Sequence, residues 1–116
     1  MSEFKMYHNP RCSKSRQTLA LLEENNVDLE IIEYLSNPPS ASELADVIGL
    51  LAIEPRDLMR KGESEYKDSG LDNTELSNQE QIALMVANPK VIERPIVIGN
   101  GKAAIGRPPE SVLSIL

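Results

Sequence analysis

Tyr7-His8-Asn9-Pro10-Arg11-Cys12-Ser13-Lys14-Ser15-Arg16 is the stretch that decides the reading of this chain. A segment of alternating apolar residues, Phe4 and Met6, runs into it, and a helical pattern leaves it over about 13–25, with Ser15, Thr18, Leu19 and Leu22 recurring at 3–4 spacing. The order is therefore strand, tight loop, thiol, helix. A thiol in the first turn of a helix meets the positive end of the helix dipole and several backbone N–H groups with no intrahelical partner. Both favour thiolate over thiol, and the same N–H groups can cradle an oxyanion.

Working outward, residues 4–7 read as a first strand and Leu29-Glu30-Ile31-Ile32-Glu33-Tyr34 as a second. The unit is βαβ, so a right-handed crossover and parallel strands are expected. Asn37-Pro38-Pro39 ends it. Ser40-Ala41-Ser42-Glu43 and Ser77-Asn78-Gln79-Glu80 have capping-box spacing and open two helices. The first carries Leu44, Val47, Ile48 and Leu51 in one stripe, with Gly49 expected to mark its end; the second carries Ile82, Met85 and Val86 and stops at Asn88-Pro89. Between them, Pro55 suits the first position of a short helix, and further helical turns carry Tyr66. Pro95-Ile96-Val97-Ile98 reads as a buried strand, and Asn100-Gly101 is a strong hairpin signal before the returning strand Lys102-Ala103-Ala104-Ile105. A final helix is expected to turn Val112, Leu113 and Leu116 inward. The order β-α-β-helices-β-β-α predicts an α/β sandwich on a four-stranded mixed sheet. At 116 residues it reads as one domain, with a helical elaboration over about 40–88.

Composition narrows the function classes. Apolar residues make up 41% of the chain, with no Trp, so the core is aliphatic. The apolar runs are far too short for a membrane span. The N-terminal Met1-Ser2-Glu3-Phe4-Lys5 carries no apolar signal region, so a cytoplasmic protein is expected. A net charge of −6 argues against nucleic-acid binding, while a local arginine pocket on an acidic protein suits a small anion. Nothing in the pattern suggests an extended association surface, and a monomer is expected. One cysteine excludes an internal disulfide and any multi-cysteine metal site, and no metal or bound cofactor is expected.

Isolated cysteines often serve only packing, but a packing cysteine belongs on an apolar face, whereas Cys12 sits in a polar loop beside Arg11, Ser13 and Lys14. Helix N-termini and nearby cations lower a thiol pKa from about 8.5 to about 3.5–7.5. His8, the one histidine, lies four residues before the thiol; protonated, it would support the thiolate. Arg94 and Arg107 each precede a proline, and Arg60 is expected at the end of a short helix. Most arginines are merely solvated. Topology argues otherwise for Arg94, because a strand beginning at Pro95 can lie beside the first strand and bring Arg94 to the Cys12 loop. Guanidinium groups offer planar, bidentate bonding to oxyanions. With Ser15, these three arginines complete the candidate anion-binding set. There is no Walker-type loop. A Cys-x5-Arg phosphatase loop would need arginine where Thr18 stands, and Ser15 occupies the second position of a Cys-x-x-Cys pair. Any adduct on Cys12 therefore needs a reducing thiol from another molecule.

These residues resemble the glutaredoxin-coupled arsenate reductases, which have a thioredoxin-like fold with a helical insertion. The resemblance is carried by the opening stretch 7–16, Leu58-Met59-Arg60, Met85-Val86-Ala87-Asn88-Pro89, Glu93-Arg94-Pro95-Ile96-Val97 and Ile105-Gly106-Arg107-Pro108-Pro109, in family order over almost the whole chain. It implies that Pro95 is the structural cis-proline beside the thiol. It also implies that Cys12 attacks arsenate, that Arg60, Arg94 and Arg107 bind the anion, and that His8 favours the thiolate. Glutathione would serve as co-substrate and glutaredoxin as protein partner. Ser13-Lys14 replaces the Gly-Thr that follows the nucleophile in the best-studied members. Two alternatives stay open: a thiol oxidoreductase acting on another glutathione-linked substrate, and a redox regulator of the RNA-polymerase-binding type. Ser15 argues against the regulator, whose switch is typically Cys-x-x-Cys.

Overall fold

The structure, a computed structural model, describes residues 3–116; Met1 and Ser2 of the N-terminal stretch lie outside the described residues. The chain forms two units. One runs up to Asn37 and resumes at Arg94–Leu116; the other is Pro38–Glu93.

The first unit is built on a four-stranded sheet of order β2-β1-β3-β4, with β1 Phe4–Tyr7, β2 Leu29–Ile32, β3 Ile96–Gly99 and β4 Lys102–Ile105. β1 pairs in parallel with β2 (Phe4 opposite Leu29) and antiparallel with β3 (Tyr7 opposite Ile96), so the sheet is mixed, as the element order requires. β2 is two residues shorter than its apolar pattern. The Glu33 carbonyl accepts the N–H groups of Ser36 and Asn37, which turns the chain away. β3 and β4 pair antiparallel with Gly99 opposite Lys102. The two-residue loop between them has positive φ at Asn100 (53°) and Gly101 (69°), the left-handed pair that a twist-matched hairpin demands.

Helix α1, Ser13–Glu24, is the βαβ crossover. Leu22 packs with Phe4, Met6, Val97, Ala104, Val112 and Ile115 into one buried cluster. Burying a leucine this completely contributes about 2 kcal/mol. The C-terminal helix, Pro109–Ile115, is a 3-10 helix. Its side chains superimpose every third residue, so Pro109, Val112 and Ile115 face inward. Leu113 and Leu116, expected inward at α-helical spacing, are instead exposed.

The second unit holds α2 Ala41–Leu51, a 3-10 helix Pro55–Leu58, α3 Ser64–Asp68 and α4 Asn78–Ala87. Both capping boxes form: Ser40 and Ser77 accept from the N–H groups of Glu43 and Glu80, whose carboxylates accept in return. Gly49 does not end α2. The helix continues to Leu51 and is closed by Ala52 in the left-handed conformation. Arg56 donates to the Tyr66 hydroxyl and to the carbonyls of Leu71 and Asn73, tying the loop after α3 to the 3-10 helix.

The peptide bonds Arg94–Pro95 and Arg107–Pro108 are both cis. The first was expected from the resemblance; the second was not. Among the described residues, no helix is long and apolar enough to cross a membrane.

Candidate active site

Cys12 is the N-cap of α1, with φ −95° and ψ 124°, the extended geometry that turns a loop into a helix. The loop from β1 is cinched by its own polar groups. Cys12 N–H donates to the Asn9 carbonyl (3.0 Å), Arg11 N–H to Asn9 Oδ1 (3.0 Å), and Arg16 Nη1 to the Pro10 carbonyl (2.9 Å). The first turn of α1 contains no acidic residue, so nothing neutralises the positive end of its dipole.

The sulfur is less open than the sequence suggests. Cys12 is 8% exposed, not a surface thiol at a bare helix start. Burial is the strongest single influence on it and pushes its pKa up. The Ser15 N–H, the Arg94 guanidinium, the Lys14 N–H and the Arg107 guanidinium all act the other way, and together they hold the thiol below its ordinary range. Arg107 Nη2 lies 3.7 Å from Cys12 Sγ, and Arg107 Nε donates to the Arg94 carbonyl at 2.8 Å. Two arginines, 82 and 95 positions beyond the thiol, are thus brought to it by the pairing of β1, β3 and β4. The result is an anion cradle of backbone N–H groups and guanidinium at one thiolate.

Pro95 is buried, and its carbonyl accepts the Gly106 N–H at 2.9 Å. A Cβ on Gly106 would sit 2.5 Å from Thr18 Oγ1 and 2.7 Å from Pro95 Cγ. Glycine there lets α1 and the Pro95 turn close around the thiol.

Two candidates take roles other than those expected. His8 is buried, with Nδ1 2.7 Å from Ser15 Oγ. Burial lowers its pKa below 6.5; the Glu33 carboxylate opposes this and Arg16 adds to it. The shift favours the neutral imidazole, and so works against the protonated form in which His8 would support the thiolate. Ser15 is fully buried, and its hydroxyl accepts the Asn9 N–H at 3.0 Å while bonding His8. Its side chain locks the loop rather than meeting a substrate; its backbone N–H is the part that acts on the sulfur. Arg60 belongs to the second unit, two residues past the 3-10 helix rather than at its end. Its Nη1 pairs with Glu63 at 2.8 Å.

The ArsC family model matches residues 7–115. The chain belongs to the ArsC family. It is 52% identical over 115 residues to "Uncharacterized protein YfgD" of Escherichia coli (strain K12), covering 98% of this chain and 97% of that one. It is 46% identical over 117 residues to the protein named arsenate reductase in Neisseria meningitidis serogroup B, covering 100% of both. The solved structure named arsenate reductase from Vibrio cholerae superimposes with a TM-score of 0.94 at 47% identity, over 99% of this chain and 98% of that chain. The fold is accordingly the thioredoxin-like α/β fold of ArsC proteins.

Two contributors to this ArsC site escaped the sequence reading. Arg16 grips the Pro10 carbonyl, and Asn9 binds the Arg11 N–H. The Asn9-Pro10 dipeptide, a known turn initiator, was the available signal for the second. Among the described residues, no group of three or more His, Cys, Asp or Glu side chains could hold a metal ion.

Proposed function

We propose that this ArsC protein is an arsenate reductase that works through a covalent Cys12 adduct. The observation that carries the reading is the Arg107 guanidinium, 3.7 Å from a thiol already biased toward thiolate. The thiolate attacks arsenic, a sulfur–arsenic bond forms, and one oxygen leaves as water after taking protons. No electrons move in that step. Arg94, Arg107 and the N–H groups at the start of α1 hold the remaining oxygens and the charge that shifts onto them. Glutathione displaces a second oxygen as water. A disulfide then forms between Cys12 and glutathione as both sulfur–arsenic bonds break. The electron pair left on arsenic reduces it from the pentavalent to the trivalent state, and the remaining two-oxygen unit takes up one water and departs as arsenite. Glutaredoxin removes glutathione from Cys12 by thiol–disulfide exchange and restores the thiolate.

His8 and Ser15 enter as positioning residues: they fix the loop that aims the sulfur. Arg60 is carried into the reading as a third anion contact by the family resemblance and forms a separate arm of the test. The reading places the protein in a reducing compartment such as the cytoplasm, acting as a monomer without nucleic acid or membrane partners.

The test is arsenate-dependent NADPH oxidation coupled through glutathione, glutaredoxin and glutathione reductase. Turnover is expected for the native chain, and Cys12→Ser should abolish it. Serine is a favourable N-cap, so α1 should survive the change. A native rate no higher than that of Cys12→Ser removes the proposal. Arg60→Ala should raise KM for arsenate; an unchanged KM removes Arg60 from the anion site.

A further inference from the structure

Thr18 stands six residues past Cys12, where a Cys-x5-Arg loop would carry its arginine, and it is fully buried. A buried hydroxyl needs an acceptor. Thr18 Oγ1 donates to the Lys14 carbonyl at 2.8 Å. A carbonyl only accepts, so the hydroxyl proton is committed to this bond. Many helices satisfy a threonine through the carbonyl four residues back. What sets this bond apart is the peptide group on which it falls. The Lys14 carbonyl and the Ser15 N–H are two ends of one planar peptide unit. Ser15 is the third helical residue after the N-cap Cys12, the position whose N–H faces an N-cap side chain. Cys12 forms no close side-chain cap bond, so the Ser15 N–H acts on the sulfur as a nearby dipole.

The same side chain meets the turn that carries Arg107. A Cβ on Gly106 would lie 2.5 Å from Thr18 Oγ1 and 3.1 Å from Cγ2, so the glycine backbone is seated directly on Thr18. The Gly106 N–H donates to the Pro95 carbonyl at 2.9 Å, and the next residue places its guanidinium 3.7 Å from Sγ. One buried side chain thus touches both supports of the thiolate, the first turn of α1 and the arginine turn.

We propose that Thr18 is a positioning residue of the thiol site, whose hydroxyl holds and polarises the Lys14–Ser15 peptide group that faces Cys12. Hydroxyl, peptide group and sulfur form one row of aligned dipoles. The hydroxyl proton draws electron density toward the Lys14 oxygen, which makes the Ser15 N–H a better partner for negative charge. Thr18 acts through that peptide group rather than on the sulfur itself. This role rests on the reading of Cys12 as the nucleophile, and not on which oxyanion the arginines hold.

The test deletes the hydroxyl in two sizes of side chain: Thr18→Val against the native chain, and Thr18→Ala against Thr18→Ser. Cys12 alkylation by iodoacetamide is followed across pH; with one cysteine, all label reports on this sulfur. Strengthening one charge-assisted hydrogen bond by about 20% changes the thiolate-to-thiol ratio about twofold. The member of each pair that lacks the hydroxyl should therefore react about twofold more slowly at low pH and converge with its counterpart at high pH. A role in packing alone would lower the urea midpoint in step with lost bulk and leave both pairs of pH–rate profiles superimposable, which overturns the proposal. Slowing in Thr18→Val with no gap between alanine and serine also overturns it, because the effect would then trace to a methyl group against the Lys14 carbonyl. If Thr18→Val does not fold, the alanine–serine pair decides alone. A hydroxyl-dependent gap in a protein that fails to turn over arsenate supports the role of Thr18 while removing the oxyanion reading. Arsenate turnover with superimposable pairs does the reverse.

Discussion

Removing the Arg107 guanidinium should read out directly on the Cys12 sulfur. Nη2 lies 3.7 Å from Sγ. At about that separation, a pair of unit charges interacts by about 1 kcal/mol in water-like surroundings and about 4 kcal/mol at an effective dielectric of about 20. Arg107 is exposed, so the lower figure governs, and Arg94 stays in place to hold the thiolate. A change of about 1 kcal/mol corresponds to about a fivefold drop in the thiolate-to-thiol ratio wherever the thiolate is the minor form. Arg107→Ala should therefore slow alkylation by iodoacetamide about fivefold at low pH. The two rates should converge at high pH, where both proteins are fully ionised. Arg107→Lys keeps the charge and should recover most of the difference, which separates electrostatics from loss of the Arg107 Nε bond to the Arg94 carbonyl. Raising the ionic strength should narrow the gap, because an exposed charge is screened. Superimposable pH–rate profiles for the native chain and Arg107→Ala would refute the argument that this guanidinium acts on the sulfur.

Arg94→Ala should slow alkylation at low pH in the same direction and raise the KM for arsenate; an unchanged thiol titration would show that Arg94 does not act on Cys12. Gly106→Ala forces a Cβ to within 2.5 Å of Thr18 Oγ1, and overpacking of this kind costs about 1–3 kcal/mol. Its urea midpoint should fall, and a midpoint equal to that of the native chain would mean the α1–Pro95 contact is slack. For His8 the sign follows from its lowered pKa. The unfolded chain takes up the proton near 6.5 while the folded chain still resists it. The stabilising difference is thus complete above 6.5 and is lost as pH falls through the folded-state value beneath it. His8→Asn, which keeps an acceptor for the Ser15 hydroxyl, should flatten this part of the stability–pH curve; equal slopes for the two proteins would contradict the assignment.

What the sequence made legible follows from how local each signal is. The capping boxes at Ser40 and Ser77 and the Asn100-Gly101 turn involve residues within three positions of one another, and each forms as read. The thiol at the start of a helix is equally local, since a strand, a proline-containing loop and the first turn of α1 lie within one short stretch. Features set by the rest of the fold were misread. Leu113 and Leu116 fit an α-helical stripe as well as Val112 does; tertiary packing and the 3-10 winding from Pro109 select Val112 and Ile115 instead. Gly49 looks like a helix end, yet Ala52 supplies the left-handed cap because the apolar stripe continues to Leu51. The protonation of His8 depends on burial and on Ser15, seven residues away, neither of which periodicity reveals. Arg94 was legible near Cys12 because strand order alone brings it there, whereas the burial of Cys12 depends on the assembled fold.

The order of influences on Cys12 separates two tasks, ionising the sulfur and holding an oxyanion. Burial acts most strongly and against the thiolate; among the groups that favour it, the Ser15 N–H outranks both arginines. Among the groups that favour ionisation, the leading one is therefore a backbone N–H in the first turn of α1. It persists as long as Asn9, Ser15 and His8 keep the loop closed on the first turn of α1. Each arginine adds less to ionisation than that one N–H, and under the proposed function the two are the cations that bind the oxygens of the tetrahedral anion. Losing one should injure oxyanion chemistry more than thiol reactivity, since an oxyanion needs its charge matched throughout the displacement while the sulfur keeps its N–H partners. A scaffold arranged this way can keep an activated cysteine while its anion specificity changes with the residues that flank β3 and β4. Thiol reactivity alone is for that reason a poor guide to the oxyanion used, and the dependence of KM on Arg94 and Arg107 is the informative measurement.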